Sequence, residues 1–516
     1  MLLVVVGVLL TVVAGVAFQK IRRDQAQSLT HPDAPLPPAP PGAVRWLDQR
    51  AATQPFPIPQ EPDRITAARA DRRAWYRRSL PEAFDSVGRT AAPWAPAARQ
   101  ALQLRSDEQA VRTGLLNDAY ALPSDAALAT GVAAGSDDPM VRYSLFLSAS
   151  RTHRFKTGSY LGDLRPVVAA VWGSRYPDIR KLHAAFNFLA GLRAPGVDLG
   201  GGAPDKLADE DRVWAGRFWE LFDKVCRDPD PLIQGDLIDI AGRYQEVQLG
   251  TRSTRSTRER AYAEVVEHLE RAGAPEYTRL TVRGHFLIKS AWDARGEGVA
   301  ATVTPEGHRL HHERLAEAEA ALVEAHRLAP DRPEAPTEML SVCLGLGHAR
   351  PEMEEWFGQA MRADPDNVQA CAHKLEYLHP KWYGSEEEYL GFGWQCVKTG
   401  NTTGMVVWTP IPGHLLNVPI PFEITAHVLN RANPYYSEPK VWCQIHTALD
   451  LILREHPEKT LLRGTYIRLA CVAGKFETAR RELAAVSGGA ATVGLGTEQN
   501  LAFYQKWAET EQLPNR

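Results

Sequence analysis

From about residue 63 onward, apolar residues recur every three to four positions, the spacing of one helix face, and strict alternation is rare. The pattern predicts helices over 64–78, 97–118, 138–149, 176–193, 208–225, 231–246, 257–272 and 275–293. Pro123, Pro139, Pro166, Gly196, the glycines at 200–202, Pro229, Pro231 and Pro275 are read as the breaks between helices. The stretch VVWTPIPGHLLNVPIP (406–421) looks extended, but its prolines make it a poor strand. Strands do not alternate with helices, which argues against a nucleotide-binding sheet or a barrel. The expected class is all-α.

Before residue 63 the pattern changes twice. Residues 1–18 carry no charged side chain and, as a helix, span about 27 Å, close to the ~30 Å hydrocarbon core of a bilayer. This reads as a transmembrane signal anchor, or as a signal peptide cleaved after Ala17, since Gly15 and Ala17 form a small-x-small site. Lys20, Arg22 and Arg23 follow the apolar run, which keeps that flank, and the body with it, on the cytoplasmic side; a cleaved leader puts the body in the periplasm. The rest, 19–62, is a linker. Ten of the 31 residues from Pro32 to Pro62 are proline, which neither a helix nor a sheet tolerates, so an extended spacer is expected.

The second half repeats itself. Ala318, Leu322, Ala325 and Pro330 have the small–large–small–proline spacing of the second helix of a tetratricopeptide (TPR) unit. Thirty-five residues on, Phe357, Ala360 and Pro365 recur at the same offsets, with Met353 at the first small position. Gly474, Phe476 and Ala479 match the turn and second helix of a further copy. Small residues let two helices approach, the large one fills the groove, and proline stops the helix. A TPR-like helix-pair solenoid is therefore expected over 274–516, after a helical domain over 63–273. Residues 497–512 read as its last, capping helix, with Leu501, Tyr504 and Ala508 in line and Phe503 and Trp507 beside them.

Two strings stand out. W-x-A-R-G comprises Trp292, Ala294, Arg295 and Gly296; P-K-W-x-G-S comprises Pro380, Lys381, Trp382, Gly384 and Ser385. With the run WFGQAMRADPDN between them, they resemble the marks of a bacterial family of TPR-like helical proteins, a domain of unknown function. The resemblance is strongest over about 285–400, reaches back toward about 95, and implies a helical repeat fold and no activity. Physically, Ser385 is expected to cap a helix with Glu388 as its reciprocal partner, and Gly384 to take a positive-φ turn. Trp382 either plugs the solenoid groove or lines a ligand cleft, and Trp382, Lys381 and Arg295 are the candidate partner-binding residues.

Composition narrows the function. Lys and Arg total 59 against 62 Asp and Glu, a net charge of −3, which argues against a nucleic-acid binder. The six cysteines are too sparse for a disulfide scaffold and contain no C-x-x-C; Cys343, Cys371, Cys396 and Cys471 fit buried thiols in apolar faces. His308, His311 and His312, with Glu313, have helical spacing for a metal but lack the H-E-x-x-H order. The loop 196–206 has glycines without a phosphate-loop motif. Arg252, Arg255, Arg258 and Arg260 read as a solvated helix entrance. No catalytic, cofactor or metal residue is assigned. The expectation is a single-pass protein of the bacterial inner membrane whose helical body binds a protein or peptide. The rivals are a metal-dependent hydrolase built on His308, His311 and His312, and a structural envelope component.

Overall fold

The computed structural model describes residues 63–87, 90–110, 118–151, 160–193, 204–247, 255–296, 303–364, 367–379, 382–385, 434–437, 460–486 and 498–514, with isolated positions between 388 and 495. The apolar segment 1–18, the linker, Lys381, Arg252, Cys396 and 406–421 lie outside them. Among the described residues every regular element is a helix, and no helix is long and apolar enough to cross a membrane.

The first ten helices are α1 (Asp63–Ser79), α2 (Pro81–Ser86), α3 (Ala95–Ala110), α4 (Asp118–Ala133), α5 (Pro139–Arg151), α6 (Tyr160–Trp172), α7 (Asp178–Arg193), α8 (Pro204–Val225), α9 (Pro231–Val247) and α10 (Arg255–Ala272). Then come α11 (Glu276–Arg295), α12 (Pro305–Leu328), α13 (Glu334–Leu346), α14 (Arg350–Ala363) and α15 (Val368–Tyr377). The last four are α16 (Pro434–Ser437), α17 (Thr460–Val472), α18 (Phe476–Ala484) and α19 (Glu498–Thr510).

Two proline breaks are corrected. Pro123 lies inside α4 and Pro166 inside α6. Proline removes one backbone bond and tends to kink a helix. In α6 the carbonyl deprived of its donor belongs to Gly162, on an exposed turn, while Leu161, Leu164, Val168 and Val171 stay buried on the other face. Packing outweighs the lost bond. The run expected over 97–118 is helical to Ala110 in α3; 111–117 lie outside the described residues. The glycine loop expected over 196–206 is shorter, because Pro204 to Lys206 open α8, where a proline at the first position loses no bond.

Consecutive helices pack on each other, and odd-numbered helices also pack on the next odd one: α1 on α3, α3 on α5, and α7, α9, α11, α13 and α15 in succession. We call the odd members from α3 to α15 the inner row; α1 packs on its first member, and α8 also packs on α10. One apolar cluster runs from Trp75 to Val282, and a second, from Tyr277 to Val342, continues it; Tyr262 of α10 stacks on Phe286 of α11 at 3.8 Å. Ala318, Leu322 and Ala325 are fully buried between α11 and α13. Leu322 enters a notch left by Gly284, where a Cβ would stand 2.5 Å from its side chain.

Capping chemistry fixes the turns. Thr304 accepts from the Gly307 amide (3.0 Å), and Pro305 takes the first position of α12. Asn367 accepts from Ala370 (2.9 Å) at the start of α15 and donates to Thr337 of α13 (2.8 Å). The Ser385–Glu388 box forms reciprocally, at 2.9 and 3.2 Å. The glycine before it has another reason than the expected one. Gly384 is not among the positive-φ glycines; a Cβ there would lie 2.0 Å from the Leu378 carbonyl.

Candidate functional site

The two sequence marks meet in space. Trp292, near the end of α11, and Trp382, after α15, contact edge to face with ring centroids 5.9 Å apart. The Arg295 guanidinium lies over both rings, 5.7 and 5.9 Å from their centres, within cation–π range. Both indoles are half-buried and pack on the apolar cluster beneath α13 to α15. Of the three candidate residues, Trp382 and Arg295 come together; Lys381 lies outside the described residues.

The histidine triplet does not converge. His311 is buried edge-on to Trp292 (4.8 Å), while His308 and His312 are exposed. Burial first, then the charges of Arg295, His308 and His312, push the His311 imidazole down to about 4, and its Nε2 has no hydrogen-bond partner. A neutral ring wedged in an apolar wall is a packing group. Among the described residues one His/carboxylate group has three candidate metal ligands within 4.8 Å of one another: Glu319, His348 and Glu352. Glu319 faces Nε2 of His348 (3.5 Å) and Glu352 faces Nδ1 (3.3 Å). The cluster joins α12 to α14 through the His348 ring, with one carboxylate near each nitrogen.

The inner row carries a different surface. Two cavities open on it. The larger, about 370 Å³, is lined from α9, α11, α13 and α15 by Asp236, Asp239, Arg243, His285, Glu334 and Glu338, among others. Successive odd helices are stitched there by polar pairs: His183 to Asp236 (3.2 Å), His285 to Glu338 (3.0 Å) and Ser341 to His373 (3.2 Å). Burial pushes the Glu338 carboxyl up, but the charge and hydrogen bond of His285 outweigh it and hold it below its ordinary value. Glu334 behaves alike: its burial is outweighed by the Arg332 fork (2.8 and 3.1 Å) and the Tyr277 hydroxyl (2.8 Å). The smaller cavity, about 230 Å³, includes Tyr76, Leu80, Arg105, Glu108, Arg180 and His183 in its lining. His183 lines one cavity and its partner Asp236 the other, so the two are neighbours.

Sequence reasoning missed this surface. Asp236, His285 and Glu338 sit at ordinary polar positions of amphipathic helices, and no string marks them. His183–Asp236 and His285–Glu338 each join residues 53 positions apart, too far for a local pattern to show. Comparison with known proteins finds no matching family model, no matching curated protein and no matching solved structure.

Proposed function

We propose that the chain is a membrane-tethered, TPR-like helical scaffold that binds an extended protein or peptide segment along the inner row of odd-numbered helices. The observation that carries this reading is the pair of neighbouring cavities on that row, where charged and amide side chains stand among apolar ones, joined by the His183–Asp236 hydrogen bond. Helical repeats use such an extended inner surface for binding, and this step rests on architecture. The solenoid reading draws on the odd-to-odd packing, on buried Ala318, Leu322 and Ala325, and on the 34 positions between the first residues of α13 and α15, the TPR period. Residues 1–18 act as the tether and the proline-rich segment as the spacer.

The test is affinity capture with the full-length chain, read by mass spectrometry, beside two charge reversals. Asp239→Lys changes an exposed residue of the larger cavity, and Glu267→Lys an equally exposed residue of α10. A discrete protein lost with Asp239→Lys and kept with Glu267→Lys is the expected result. Loss with both, or with neither, removes the inner row from the function. Alkaline carbonate washing of membranes tests the tether: release of the intact chain overturns it.

A further inference from the structure

α1 is tied to the rest of the array largely through its arginines. Its last eight residues contain four arginines, each facing an acid elsewhere in the array. Arg72 meets Asp364 at the end of α14 (3.1 Å), across 292 positions of sequence, with both side chains nearly inaccessible. Arg72 Nε also donates to the Ala110 carbonyl (2.9 Å). Arg73 and Arg77 face Asp107 of α3 (3.9 and 3.3 Å), and Arg78 faces Asp230 before α9 (3.8 Å). Trp75 and Tyr76 both receive the Arg180 guanidinium of α7, 4.8 Å from each ring centre, and Arg180 also donates to Ser79. Tyr76 lines the smaller cavity, so that cavity is complete only with α1 seated.

This seat is specific in its chemistry. Asp364 is buried and takes a planar guanidinium that can serve the Ala110 carbonyl at the same time, which favours arginine over lysine. Arg180 asks for aromatic faces. Asp107 and Asp230 ask for positive charge. Exposed pairs of this kind hold weakly and are screened by salt, so a docked helix of this composition can be exchanged.

We propose that α1 is the resident, exchangeable ligand of the inner row, and that the external partner is a helical segment of the same chemistry, an Arg-Arg-x-aromatic-aromatic-Arg-Arg helix that takes the seat of α1. The proposal rests on the reading of the inner row as the binding surface. Partner binding then costs the release of α1 and is weaker in the intact chain than at a vacated seat.

A charge-swap experiment on the full-length chain in detergent tests it, with a fluorescein-labelled peptide of residues 63–79 as probe and fluorescence anisotropy as readout. The chain carrying Arg72→Asp loses its internal ligand and is expected to bind the peptide at least ten-fold more tightly than the parent. The chain carrying Asp364→Arg is expected to refuse that peptide and to accept one carrying Arg72→Asp. Should a buried reversal melt the array, seen as rapid hydrogen exchange in α11 and α12, the exposed double variant Arg77→Glu, Arg78→Glu loosens α1 without burying a charge and is expected to show a smaller gain, about five-fold at low salt. Equal binding by all chains, or by none, overturns the proposal. A protein captured by the parent chain and lost with Asp239→Lys, together with no peptide binding by any variant, would keep the inner row as a binding surface and remove α1 as its ligand.

Discussion

The first and last described helices are held by opposite chemistry. At the C-terminal end α19 buries Leu501, Tyr504, Trp507 and Ala508 against α17 and α18. Tyr504 and Trp507 stack with centroids 6.2 Å apart, and Phe503 meets both rings edge-on. Near the other end α1 buries Trp75 but is otherwise held by arginines. Apolar burial is indifferent to salt and pH and needs no particular partner atom. Charge docking is directional, depends on solution conditions and fails when one partner is lost. One end is built to stay and the other to let go.

The largest effect is expected at α19. Trp507 is almost wholly buried, and Trp507→Ala should cost about 4 kcal/mol through lost transfer energy and the cavity left behind. Urea melts of the full-length chain check it. The loss should be the same at low and high salt; strong salt dependence would mean that α19 is not held as described.

Asp364→Asn comes next, at about 3 kcal/mol, because it leaves the Arg72 guanidinium buried beside a neutral amide. Hydrogen exchange should locate the loss in residues 63–79 and leave α19 protected. Removing both charges with Arg72→Met and Asp364→Leu should recover most of the stability, since no stranded charge remains. If the double variant is as unstable as the single one, the pair is not the clasp.

The contrast between the two ends also explains what the sequence could reveal. The face of α19 is written in one stretch of chain, so Leu501, Tyr504 and Ala508 were legible as a line and Trp507 beside it. The capping box at Ser385 was legible because its partners lie three residues apart. Leu322 was legible as a groove filler, but its notch at Gly284 was not. Nothing in the run RRAWYRR names Asp364, because that contact depends on how many helix pairs intervene and how far each turns. The inner cavity fails for the same reason: four helices each contribute a few polar residues that look solvent-facing on their own. Pro123 and Pro166 misled in the opposite direction, since local propensity lost to packing supplied from outside the segment.

His311 combines the two modes, an ionisable ring held by apolar packing. Its folded-state value of about 4 lies below the ordinary 6.5, so the unfolded chain takes the proton first. The stability contributed by the neutral ring is whole above pH 6.5 and is lost as the pH falls toward 4. The expected loss is roughly 3 kcal/mol across that window. His311→Leu should flatten that part of the stability profile, whatever it does to stability at neutral pH. A profile with the same slope in both proteins would assign the acid sensitivity to other groups.

The smallest expected effects fall on the exposed arginines of α1, and they separate a clasp from a glue. Arg77 and Arg78 face Asp107 and Asp230 at 3.3 and 3.8 Å, with their side chains about half exposed. Each pair should contribute about 0.5 kcal/mol, and raising salt from about 0.1 M to about 1 M should remove most of it. Arg78→Gln should therefore raise hydrogen exchange in 63–79 by about two-fold at low salt and not at all at high salt. Asp364→Asn should keep its effect at both, because its partner is shielded from solvent ions. If Arg78→Gln matched Asp364→Asn in size, the docking of α1 would be a diffuse attraction between a basic helix and an acidic face, with no privileged contact. If salt moved neither, Trp75 and its apolar neighbours would hold α1 as firmly as Trp507 holds α19, and the two ends would be alike after all.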